Sequence, residues 1–256
     1  MNKITLSLFL VFLLSGCTHD YYTPNAQNVP MFRDKNELRL SGAFSGSESE
    51  GIELQAAYSP IKNIAVMANY ITSTIQYNSA GDYGNQNYIE GGLGYYKPIS
   101  KVAVFEIYGG YGSGSEHHQY DVSSNYNNGI YYTGTMGTAD LTFKKYFIQP
   151  SIGLTFDFLD IAFSTRFYSL NFDNIQNHAS TNSFDWETLN SLSISNVHYF
   201  LEPALTFRVG WEKVKLQLQL STTRLLSVQN PIFSYETLHT SLGVCFILNG
   251  KNIKAK

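Results

Sequence analysis

A chain of 256 residues is long enough for one large domain, and its charged content of 14% falls well below the roughly 25% of an ordinary soluble domain. Aromatic residues reach 15%, with 19 Tyr and 17 Phe, which excludes a disordered chain; a coiled coil, which needs Glu, Lys and Leu in heptads, is excluded as well. The net charge of -3 gives no electrostatic footprint for nucleic acid, so no such partner is expected.

Residues 1–16 read as an export signal. A positive start at Lys3 precedes an apolar run over 4–14 that is too short to span a bilayer as a helix. Leu14-Ser15-Gly16-Cys17 follows directly and resembles the lipobox of bacterial lipoproteins. The resemblance implies cleavage before Cys17, diacylglycerol on its sulfur and a fatty acyl group such as palmitate on its amine. Several acyl chains, at about 0.8 kcal/mol per buried methylene, hold a protein on a membrane without further help. Thr18 stands where an Asp would retain a lipoprotein of the enteric type in the inner membrane, which favours the outer membrane. With Cys17 acylated, only Cys245 remains, so no intrachain disulfide can form.

Residues 17–35 read as a lipid-anchored periplasmic tether. Pro24, Pro30 and several Asn occur there without any apolar period, as in an extended linker. Tyr22-x-Pro24-x-x-x-Asn28-Val29-Pro30-x-Phe32 resembles the opening of barrel lipoproteins of the Bacteroidota.

From residue 36 to 249 the chain alternates apolar and polar residues with period two, the signature of strands, and helical spacing is hard to find. The stripes run through Leu38–Phe44, Ile52–Tyr58, Ile64–Tyr70, Ile89–Tyr95, Ala103–Tyr111, Ile148–Phe156, Leu159–Phe167, Tyr199–Val209, Val214–Leu220 and Leu238–Leu248. Short joins at 59–62, 99–100, 157–159 and 210–211 alternate with longer ones at 46–51, 78–87, 112–137, 173–196 and 223–234. Strict alternation of this kind predicts an all-β, antiparallel, up-and-down transmembrane barrel of about ten strands (eight being the other count considered), with short periplasmic turns and long outer loops. Tyr58, Tyr70, Tyr95, Tyr146, Tyr199 and Trp211 near the stripe ends suit an interfacial girdle. Ser241-x-Gly243-x-x-Phe246-x-Leu248 resembles the C-terminal signal that outer-membrane barrels present to their assembly machinery, although residues 250–256 trail beyond it. Barrel-assembly and lipoprotein-sorting machinery are the partners implied, together with outer-membrane lipid.

If the apolar stripes face lipid, then Arg39, Glu53, Glu90, Glu106, Arg166, His198, Glu202, Arg208, Lys213 and His239 face the lumen. Opposite charges cross-linking a narrow lumen would plug it, as a structural network. An open path for a small solute is the alternative, and mixed signs argue against strong ion selectivity. A soluble, lipid-tethered carrier would instead turn the apolar stripes inward.

Two loop clusters are candidates for chemistry. His178 and Ser180 with Asp185 and Glu187 could support acyl hydrolysis, with His as base, as a rim hydrolase. His117 and His118 with Asp121 form the second rim set, and the two adjacent histidines could also bind a metal but lack a third ligand nearby. Neither spacing fixes a geometry, so the expectation is a non-enzymatic protein with no metal and no cofactor. Gly109 to Ser115 is glycine-rich at a strand end and reads as room for bulky lumen neighbours. Loops rich in Tyr, Asn and Ser, including Tyr120, Tyr126, Tyr131, Tyr132, Phe184 and Trp186, suit contact with surface glycans or proteins.

Overall fold

The computed structural model describes residues 19–77, 81–121, 125–127, 130–132, 135–181, 183–226 and 234–249. The expected signal, Cys17 with its expected acylation, and the tail at 250–256 lie outside the described residues, as do the side chains of Tyr126, Tyr131 and Tyr132. In chain order the elements are β1 (Glu37–Gly46), β2 (Glu50–Ile61), β3 (Ile64–Gln76), β4 (Tyr83–Pro98) and β5 (Ala103–Asp121). The short pair β6 (Asn125–Asn127) and β7 (Ile130–Tyr132) follows, then β8 (Met136–Thr155), β9 (Leu159–Asn177) and helix α1 (Phe184–Ile194). β10 (Val197–Gly210), β11 (Val214–Thr222), the two-residue β12 (Arg224–Leu225) and β13 (Leu238–Asn249) complete the chain.

The ring consists of β1 to β5, β8 to β11 and β13, every neighbour antiparallel. It closes where Glu37 stands opposite Asn249, so both ends of the barrel wall lie at the short-turn end. The period-two stripes explain the ring: one face of each strand packs inward and the other stays exposed. Phe105, Ile152, Phe163, Leu205 and Leu220 are laid side by side by the strand register and all point outward. Ile152 and Phe163 are each 48% exposed, and Leu205 44%. The interior positions carry Gln149, Ser164, Arg166, Glu202 and Gln219, all buried. A soluble carrier requires the reverse arrangement, so that reading is corrected.

The outer surface marks its own boundaries. On β8 the outward face reads Asp140, Thr142, Lys144 and then Tyr146, Ile148, Pro150, Ile152 and Leu154, with Phe156 exposed just past its end. Tyr111 packs beside Tyr146, with ring centroids 5.0 Å apart and the planes tilted by 51°, and Ser169 separates Tyr146 from Tyr199 at the same height. Tyr58, Tyr95 and Trp211 sit exposed toward the short-turn end. From Tyr146 to Phe156 the strand climbs about 34 Å, or about 24 Å at a 45° tilt, which matches the height of a lipid-facing belt. Above the belt, His117 pairs with Asp140 at 2.7 Å and Lys144 with Asp173 at 2.7 Å on the outer face.

Several expectations about connections change. The join between β1 and β2 is only residues 47–49, not a long loop. Much of 112–137 belongs to β5 and β8, which continue past the belt as a wall in water. Their outward residues there are polar, so the hydrophobic alternation that reveals a strand fades. The segment 173–196 contains α1, with Ser183 as N-cap accepting from the Trp186 amide and Asp185 and Glu187 in the first turn. Leu189 and Leu192 of α1 are buried and pack into the aromatic cluster at the long-loop mouth.

Candidate functional site: a lumen filled by the N-terminal segment

The stretch 19–32, expected to be a tether outside the barrel, lies inside it, every residue buried. It has no helix or strand, in keeping with Pro24 and Pro30, which cannot donate to a ladder. A backbone without regular structure must find partners elsewhere when it is buried, and the wall supplies them as side chains. Gln86 forms a two-pronged clasp on Thr23: the Thr23 amide donates to Gln86 Oε1 at 3.0 Å, and Gln86 Nε2 donates to the Thr23 carbonyl at 2.8 Å. Gln219 does the same to Gln27, at 2.6 and 2.8 Å. Ala26 is held by two wall residues, its amide donating to Glu53 at 2.9 Å and its carbonyl accepting from Gln55 at 2.8 Å. Gln149 donates to the Asn28 carbonyl at 2.8 Å. A primary amide offers one donor and one acceptor side by side, as an adjacent strand would.

The direction of the thread is set by its two ends. His19 lies at the long-loop end, where its ring nitrogens sit 2.8 Å from Asp82 and 2.8 Å from Asp185. Asp82 precedes β4 and Asp185 belongs to α1. The Tyr21 hydroxyl and Thr135 also donate to Asp185, at 2.7 and 2.6 Å. Burial alone would depress the His19 pKa, but the hydrogen bonds and charges of the two aspartates outweigh it and raise it. Burial pushes the Asp185 carboxyl up, yet the bond to His19 holds it below the usual carboxylate value. At the other end Arg33 reaches the short turns, donating to Thr155 at 2.8 Å and to the Ser100 carbonyl at 3.2 Å.

Between these ends lies a ring of charge. Arg166 sits 3.4 Å from Glu90 and 3.9 Å from Glu202, and Lys145 sits 3.8 Å from Glu90. Asn25 of the thread completes it: its amide donates to Glu90 at 2.9 Å, and its oxygen accepts from Arg166 at 2.9 Å and Lys145 at 3.1 Å. Lys145 also rests 4.5 Å from the Tyr168 ring centroid. Lower down, Glu53 accepts from His239 at 2.8 Å and from Ser241 at 3.0 Å. Glu106 accepts both the Met31 and Phe32 amides at 2.9 Å, bracketing Met31 at a φ of 58°. A methionine takes that left-handed backbone only where its surroundings impose it. Gly153 makes the room, since a Cβ there would stand 2.5 Å from the Met31 sulfur.

Of the residues expected in the lumen, Glu53, Glu90, Glu106, Arg166, His198, Glu202, Arg208 and His239 are buried in it. Arg39 is partly buried near the short-turn end, 3.1 Å from Glu37. Lys213 is a correction: it lies in the exposed turn before β11. The glycine-rich stretch does give room, with Phe147, Tyr88 and Phe143 lying where Cβ atoms of Gly110, Gly112 and Gly114 would be.

Neither rim cluster is assembled. Asp185 turns into the lumen toward His19, Ser180 accepts from the Met136 amide at 3.2 Å, and His178 is exposed. His117 and His118, adjacent on β5, point to opposite faces: His117 outward to Asp140, His118 inward to Glu116 at 3.1 Å. Strand alternation therefore forbids both from binding one metal ion. Among the described residues no cluster of three His, Cys, Asp or Glu suits a metal. His19, Asn25, Gln27, Lys145 and the clasping glutamines were not among the residues expected from the sequence; the available signal was the three carboxamides Asn25, Gln27 and Asn28, together with glutamines on the polar stripes.

No family model matches the chain, and no curated protein matches it. Among solved structures it is similar to the translocator domain of autotransporter NalP from Neisseria meningitidis, at 10% identity and a TM-score of 0.43, over 82% of this chain and 86% of that one. The KdgM porin is similar at 9% identity and a TM-score of 0.36, over 81% and 98%. LpxR from Salmonella typhimurium is similar at 8% and 0.38, over 82% and 99%. These neighbours are outer-membrane β-barrel proteins.

Proposed function

We propose that this chain is a non-enzymatic outer-membrane β-barrel lipoprotein, anchored through Cys17, whose lumen is closed by its own N-terminal segment. One observation carries this reading: an exposed apolar belt bounded by tyrosines encloses a polar interior whose charges are met by residues 19–33. An apolar belt facing water would be costly, whereas facing lipid it is stabilising. In hydrocarbon a sheet satisfies every backbone group only when it closes on itself. With the barrel filled, the surfaces left for contact are α1 and the walls of β5, β8 and β9 beyond the belt. Their chemistry suits surface glycans or proteins. The test is migration on a detergent gel: unboiled and boiled protein should run differently, because a closed barrel resists detergent. Identical migration, with the Cys17→Ala protein recovered in the soluble fraction, would overturn the reading.

The channel alternative survives in one form, in which residues 19–33 leave the lumen. The wall then presents Glu53, Glu90, Glu106, Lys145, Arg166 and Glu202 to water, a lining of both signs.

A further inference from the structure

We propose that a monovalent cation binds in a cavity beside the thread's entrance, between Asp20 of the thread and Ser73, Glu116 and His118 of the wall, and that it ties the thread to the collar. The site does not involve Cys17 and does not depend on a lipid anchor.

Strand register builds the site. Ser73 of β3, Gln86 of β4 and Glu116 of β5 lie side by side on the inner face, and Gly84 of β4 stands opposite His118 of β5 at the next inward position. Glu116 lies beyond Tyr111 along β5, in the collar above the belt. Gln86 is taken up by its clasp on Thr23. Beside that clasp remains a cavity of about 10 Å³, room for one water-sized guest, lined by Asp20, Ser73, Gly84, Glu116 and His118 among others.

Three polar atoms of that lining have no protein partner: Ser73 Oγ, Glu116 Oε1 and His118 Nδ1. Their residues are only 3%, 5% and 2% exposed. Gly84 leaves the room at the imidazole, since a Cβ there would stand 2.9 Å from His118 Nδ1. The other Glu116 oxygen sits 3.1 Å from His118 Nε2. With Nε2–H donating to that carboxylate, Nδ1 presents a lone pair. A carboxylate oxygen, an imidazole lone pair and a hydroxyl oxygen can all accept. The guest they ask for is positive or donates on every side.

Charge favours a cation over water. Among the described residues Glu116 pairs with His118 and with no Lys or Arg. Asp20 brings a second carboxyl group to the same cavity. His19, the cationic side chain of the thread's entrance, is already held by Asp82 and Asp185. A buried carboxylate without a counter-charge is costly and takes up a proton instead. A bound cation replaces that proton, which Glu116 releases to water. The groups do not converge as a divalent or transition metal requires. That leaves a singly charged guest: sodium, potassium or ammonium. Because Asp20 belongs to the thread and Glu116 to the wall, the guest stabilises the threaded state.

The test is urea unfolding of the full chain in detergent, at fixed pH and ionic strength, with choline chloride replaced stepwise by sodium, potassium or ammonium chloride. A ligand of the folded state raises the midpoint as its concentration rises. One of the three ions should raise it above the choline value, and the other two should do so less. Glu116→Gln and Ser73→Ala should each raise the concentration needed for a given shift, Glu116→Gln by about tenfold or more. Glu187→Gln, at an exposed carboxylate of α1, should leave the shift unchanged. Equal midpoints in all four salts overturn the proposal and leave water or a proton as the guest. A shift retained in full by Glu116→Gln also overturns it, by placing the ion elsewhere. Should Glu116→Gln fail to fold, Gly84→Ala decides the matter. Its Cβ crowds His118 Nδ1, so a smaller shift supports the site and an unchanged one overturns it.

Discussion

His19 and Asp185, separated by 166 residues, meet at 2.8 Å and join the first described residue of the thread to the helix that covers the barrel mouth. Asp82 holds the other ring nitrogen, so one imidazole ties three segments together.

This clasp should depend on pH in a defined direction. The His19 pKa is raised above its ordinary value of 6.5, so its contribution is fully present below 6.5 and disappears as pH rises through the raised value. Asp185 is lowered from 3.8, so its contribution is present above 3.8 and disappears as pH falls through the lowered value. Anchoring of the thread is strongest between those limits and weakens toward alkaline pH. Thermal unfolding in detergent at several pH values should show the alkaline loss, roughly 1–3 kcal/mol before solvent screening, and His19→Ala should abolish it. An alkaline loss of equal size in His19→Ala would refute the assignment.

Arg166→Met should destabilise the barrel by about 3–5 kcal/mol, because Glu90 and Glu202 are left buried with a weaker counter-charge. Urea unfolding followed by gel migration measures it. Removing the carboxylates as well, with Glu90→Gln and Glu202→Gln, should recover part of the loss; failure to recover any would show that packing, not charge, dominates.

Gly153→Ala should cost about 1–3 kcal/mol through overpacking against Met31. The double variant with Met31→Ala should be closer in stability to Met31→Ala alone than additivity allows. Strict additivity would mean that the two residues do not touch.

Deletion of residues 19–33 should convert a silent barrel into one that conducts in planar bilayers, provided its migration still changes on boiling. Conductance steps from the full chain, or none from the deleted one, would contradict the thread as the closing element.

Ile152→Arg, at mid-belt, should cost about 2–4 kcal/mol in lipid, whereas Thr142→Arg in the collar should be nearly neutral. Equal effects, read by folding into vesicles, would displace the belt from where Tyr146 and Phe156 put it.

Period-two stripes such as Ile148, Ile152 and Leu154 against Gln149 and Ser151 determined the strands, their facing and the all-β class, because alternation follows from strand geometry alone. The polar stretches of β5 and β8 above the belt escaped notice because both water and a packed lumen accept polar side chains. Only the tertiary structure decided where residues 19–33 go. A segment bonded through amides to Gln86, Gln219 and Glu53 needs no hydrophobic rhythm, so its composition is that of a solvated linker. Partners as distant as Gln27 and Gln219 become neighbours only once the ring has closed around them.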